Sequence, residues 1–155
     1  MPLRFKEGEW IGVPLDDGTF AAGLIARVKG NVLFGYFFGP TTVAPAELTT
    51  LAHLTPGDAV LVGMFGVVGL RQGRWPMLGG IEGWDRAAWP IPVFVRHDEL
   101  TGQTFRVFYD DKNPNKVLGE ELISPGGSTD GVRDGLMGAR FVELVLNDLF
   151  GVAQR

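Results

Sequence analysis

Along the first forty residues the apolar positions fall into three runs separated by turn chemistry. Residues 9–15 (EWIGVPL) read as an extended strand that ends at Asp16-Asp17-Gly18, a strong turn signal. Residues 19–28 form a second strand, with Gly23 marking a bulge or a close backbone approach. Lys29-Gly30-Asn31 then turns the chain into residues 32–38 (VLFGYFF), apolar and aromatic enough for a central strand buried on both faces. Short connections make these neighbours antiparallel, so the pattern predicts a meander.

Gly39-Pro40 stops the third strand, and residues 45–51 (PAELTTL) predict a turn or two of helix with Pro45 at its first position. Residues 59–70 (AVLVGMFGVVGL) read as a strand pair or one long bulged strand, its glycines at 63, 66 and 69 easing curvature. Residues 75–95 (WPMLGGIEGWDRAAWPIPVFV) hold three of the four tryptophans, with Trp75-Pro76 and Trp89-Pro90 as twin anchors around a glycine-rich middle. Rings held by X-Pro turns make either a core corner or a recognition surface, and neither use supplies a proton, a nucleophile or a metal ligand. Residues 93–96 and 104–109 pair as a hairpin, 110–116 form an exposed loop, and 117–123 an edge strand.

Residues 124–131 are a flexible Gly/Ser-rich segment. Residues 138–150 carry Phe141, Val142, Val145, Leu146, Leu149 and Phe150 on one stripe, an amphipathic helix with Gly151 as its C′ residue. The expected fold is mainly β (α+β): a strongly curved antiparallel sheet or partly open barrel, with a short helix near 45–51 and a C-terminal helix near 138–150. Its core should draw on Trp10, Ile11, Val13, Leu24, Ile25, Leu33, Phe34, Phe37, Val60, Val62, Phe65, Val93, Val95, Val107 and Phe141.

Composition sharpens this. Length suits one domain over residues 1–155, and 23 glycines, roughly twice the average usage of about 7%, suit many short strands and tight turns. The net charge of −4 gives none of the basic footprint of a nucleic-acid binder and favours a basic protein partner. There is no cysteine, the first ten residues carry no apolar leader, and no run approaches the roughly 20 apolar residues of a membrane span. The expectation is a soluble cytoplasmic protein with no nucleic-acid or membrane partner.

Catalytic chemistry finds little purchase. The two histidines, His53 and His97, read as structural or exposed, and the serines, Ser124 and Ser128, share one loop without a nucleophile elbow. No phosphate-binding glycine motif occurs, and no His/Cys cluster has metal-ligand spacing, so no cofactor and no metal is expected. The adjacent carboxylates Asp16-Asp17, Asp110-Asp111 and Glu120-Glu121 read as turn chemistry or as a negative surface that steers and docks a basic partner.

Two regions resemble the immunity protein 26 family of bacterial polymorphic toxin systems. One is KEGEWIGVPLDDGTFAAGLIARV at 6–28, a Gly-acidic turn and two strands around an acidic-Gly turn. The other is VGLRQGRWPMLGGIEGWDRAAWPIPVFV at 68–95, a Trp-Pro strand leading to Pro-x-Pro and another strand. The resemblance implies a non-catalytic, β-rich cytoplasmic protein that binds and neutralises a cognate toxin, and it carries over no catalytic residue. On this reading the contact surface is Asp16, Asp17, Arg74, Trp84, Asp110 and Asp111, with Trp84 the exposed aromatic. The alternative is a small β-barrel recognition module for a peptide or small ligand, and an enzyme built on His97 with a carboxylate comes third.

Overall fold

The computed structural model describes residues 5–153; the first four residues of the segment read above as lacking a leader lie outside it. The meander forms as β1 (Glu9–Pro14), β2 (Phe20–Lys29) and β3 (Val32–Thr42). They are followed by α1 (Leu48–Leu51), β4 (Leu61–Gly66), α2 (Val68–Arg71), β5 (Met77–Gly80), β6 (Phe94–His97), β7 (Thr104–Asp110) and β8 (Asn113–Leu122). The chain closes with β9 (Val132–Arg133), β10 (Leu136–Met137) and α3 (Ala139–Leu149). The fold is mainly β, as expected.

The strands divide between two sheets, and neither closes into a barrel. One is six-stranded in the order β10-β4-β3-β2-β1-β5; the other is four-stranded in the order β8-β7-β6-β9. Most pairings are antiparallel, but β10 runs parallel to β4 and β9 parallel to β6, so both sheets are mixed. These two-residue strands come from the segment after Ile123, whose short sequence patches are too brief for a strand period to show.

The six-stranded sheet is the middle layer, because the period-2 alternation of its strands is apolar on both sides. Ile11, Val13, Ile25, Leu33 and Phe37 face a core completed by Leu70, Trp75 and, from α3, Val142 and Leu146. Trp10, Leu24, Phe34, Tyr36 and Phe38 face the opposite way, onto Trp89, Leu51 and the Phe94 and Val107 of the second sheet. The twin Trp-Pro anchors therefore sit on opposite faces of one sheet. Gly23 is a close approach: a Cβ there would stand 2.9 Å from the Phe37 ring.

Several expectations are corrected. Residues 59–70 are not one bulged strand; the chain leaves β4 at Gly66 and turns into α2, where Gly69 admits the Trp75 indole to within 2.8 Å of where a Cβ would be. The helix near 45–51 is a single turn with Glu47 at its N-cap. The loop after β7 is a tight turn, and β8 begins at Asn113. Val60, Val93 and Phe141 are exposed rather than core residues. The stripe on α3 is rotated from the expected one, burying Val142, Glu143, Leu146 and Asn147.

Candidate functional site

The acidic turn between β1 and β2 is held by α3. Arg140 donates Nη1 and Nη2 to the two carboxylate oxygens of Asp16 at 2.7 and 2.9 Å, and the Asp16 N–H donates to Asn147 Oδ1 at 3.0 Å. This pairing, with Glu143 adding to it, raises the Arg140 guanidinium above its ordinary range. Asp17 lies exposed at the tip, its Oδ1 accepting the Thr19 N–H at 3.0 Å in an Asx turn. Glu143 continues the network: it accepts from Arg140 at 3.2 Å, from the Trp75 indole at 2.9 Å and from Arg74. Asp16 and Arg74 are thus joined through Arg140 and Glu143.

A second network lies at the other end of β2. Arg27, in the apolar run AAGLIARV, is 2% exposed, and each of its guanidinium nitrogens has an acceptor. Nε and Nη2 donate to Asp111 Oδ1 at 3.1 and 2.6 Å, and Nη1 donates to the carbonyls of Ala26 and Trp89 at 2.6 and 3.0 Å. Full pairing is what makes a buried arginine tolerable. Arg86 donates Nη1 to Asp111 Oδ2 and Nε to Glu7 Oε1, both at 2.7 Å. The hydrogen bond from Arg27 acts most strongly on the Asp111 carboxyl and, helped by the Arg27 and Arg86 charges, holds it below the usual aspartate range against the opposing effect of burial.

Trp84 belongs to this second network. Its indole N–H donates to Glu7 at 3.3 Å and its ring stacks on Trp89 at 6.5 Å between centroids, leaving it half-buried rather than the exposed ring expected. Asp110 is half-buried, its Oδ1 accepting the Lys112 N–H at 2.8 Å within the β7–β8 turn.

The six residues singled out in the sequence therefore form two groups. Asp16, Asp17 and Arg74 stand before the start of β2, and Asp110, Asp111 and Trp84 stand at its far end. At about 3.3 Å per residue the strand between them spans on the order of 20 Å. Sequence reasoning missed Glu7, Arg27, Arg86, Arg140, Glu143 and Asn147. A signal was present for some: Glu143 and Asn147 lie four apart beside Val142 and Leu146, so the same helix face carries both polar and apolar residues.

His53 is exposed, and His97 is exposed with Nδ1 2.9 Å from Thr104 Oγ1. Among the described residues, no group of three or more His, Asp or Glu side chains is placed to hold a metal ion. Among the same described residues, no helix is long and apolar enough to cross a membrane. Burial raises the Tyr36 hydroxyl to about 12, with the Arg27 charge opposing, and its O–H donates to the Pro90 carbonyl.

These features define a β-rich protein whose prominent charged groups are tied into fixed networks. It belongs to the immunity protein 26 family, which it matches over residues 6–106. The match runs from ahead of β1 into β7 and contains both segments that carried the resemblance; β8, β9, β10 and α3 lie beyond it. No curated protein and no solved structure matches the chain.

Proposed function

We propose that this protein binds and neutralises a cognate bacterial toxin in the cytoplasm, without catalysis of its own, by covering the toxin's active site. Family membership carries this reading. The net charge of −4 supports it, since acidic surface steers a protein onto the basic active site of an enzyme such as a nuclease.

The toxin-binding residues in this account are Asp16, Asp17 and Arg74 in one group and Asp110, Asp111 and Trp84 in the other. Ion pairs to Arg140 and Arg27 fix the two turns before the toxin arrives. A surface ordered in advance loses less conformational entropy on binding, so more of the contact energy appears as affinity. The test is to look for a toxin domain encoded beside this gene and to co-express it with this protein. Restored growth of the host supports neutralisation; undiminished killing in the presence of soluble, folded protein overturns it.

A further inference from the structure

The Gly79–Trp89 stretch, set apart in the sequence by its glycines and tryptophans, forms with α1 a groove that the two charged networks leave unused. It encloses about 430 Å³. Trp10 and Trp89 make its floor, at 2% and 7% exposure, and Leu48, Leu54 and Ile81 line its sides. Leu48 is held over the β5 backbone because position 79 has no side chain: a Cβ on Gly79 would stand 2.8 Å from Leu48 Cδ1. The remaining feature is Glu82, the one carboxylate among the lining residues and exposed.

Among the described residues Glu82 shares its unpaired state with the exposed side chains of Glu99, Asp130 and Asp148, but of these four it alone lines this apolar groove. Glu7, Asp111, Glu120, Glu121 and Glu143 each have an arginine partner, and Arg86, close by in sequence, is directed to Glu7 and Asp111. Glu82 has no hydrogen-bond or ion-pair partner among the described residues, and neither has the side chain of Glu47, which precedes Leu48 at the N-cap of α1. An apolar slot beside an unpaired carboxylate asks for an occupant with a hydrocarbon stem and a cationic head. A purely apolar occupant would desolvate Glu82 with nothing in exchange. Because the two tryptophans are nearly buried, they meet the stem and do not cage the cation.

We propose that this groove receives one basic side chain, arginine or lysine, from the toxin. The proposal rests on the toxin-binding reading and adds to it a contact point and the chemistry of the residue that fills it.

The experiment is an NMR titration of the whole protein with n-butylguanidinium, an arginine side-chain mimic, against the neutral isostere n-butylurea. The cation is expected to shift the indole N–H signals of Trp10 and Trp89 and the amides of Gly80 and Glu82 saturably. Glu82→Gln, an exposed change, is expected to weaken binding about two- to five-fold, the scale of one exposed charge pair. Ala52→Trp, at an exposed position lining the same groove, is expected to abolish it. Equal shifts from butylurea, no shifts from either compound, or an affinity indifferent to Glu82→Gln would each overturn the proposal. Rescue of growth by co-expression is read separately, so a failed titration with intact rescue removes this groove and leaves neutralisation standing.

Discussion

Arg27 and Asp111 lie 84 positions apart in the chain and meet at 2.6 Å, a buried guanidinium in the central sheet gripping the turn between β7 and β8. Asp111 also takes Arg86, so one carboxylate fastens the second sheet and the tryptophan-rich segment to the first. An arginine in the apolar run of β2 has its physical reason here. The same residue that stands in the proposed toxin surface is a fastener of the fold, and its two roles are separable by experiment.

Asp111→Asn removes the charge that Arg27 and Arg86 share. Loss of a charge-assisted hydrogen bond to a buried partner costs about 1–3 kcal/mol, and urea unfolding at pH 7 is expected to show a loss of that size. The folded Asp111 carboxyl lies below its unfolded value of about 3.9, so its contribution is complete above that pH and is lost as pH falls through the lower folded value. The gap between wild type and variant should therefore close in acid below about pH 4.

Glu143→Leu leaves the Trp75 indole N–H and Arg74 without their acceptor inside the α3 interface. An unsatisfied buried donor costs about 1–3 kcal/mol, and a corresponding drop in thermal stability is expected. Glu143→Gln keeps an oxygen for the indole and should lose less.

Gly69→Ala places a methyl group 2.8 Å from a Trp75 ring that is 1% exposed and cannot move aside. Overpacking of this kind costs about 1–3 kcal/mol. Gly66→Ala meets nothing within 4 Å and is expected to change stability by less than about 0.5 kcal/mol. Equal losses for the two would contradict this packing.

Asp17→Lys and Asp110→Lys reverse charge at the two ends of β2. Each should slow association with the toxin on the order of ten-fold at low salt, and the difference should shrink as salt screens it. Their separation makes the two effects independent, so the double variant should show their product. Stopped-flow association rates measure this directly.

Much of the fold was legible because it is local. The strands of β1 to β3, the turn at Asp16-Asp17-Gly18 and the extent of α3 follow from periodicity and punctuation, and Gly151, at φ 68°, is the C′ glycine expected. What the pattern left hidden is set by contacts between distant segments. Alternation says that Phe34 and Phe37 point opposite ways, but not that helices cover one face and a second sheet the other. The face of α3 was misplaced because Trp75 and Arg74 need the Glu143 carboxylate, which draws a charged residue inward and turns Phe141 out. Similarly, the candidate residues were four turn aspartates with Arg74 and Trp84, while their division into two groups depends on Arg27 and Arg140.

The most direct test of toxin neutralisation is a titration of the toxin domain's activity with the purified protein. Activity is expected to fall in proportion to added protein, with an endpoint at about one protein per toxin and a complex that elutes together on size exclusion. Full activity at a large excess of folded protein, with no complex formed, would contradict it.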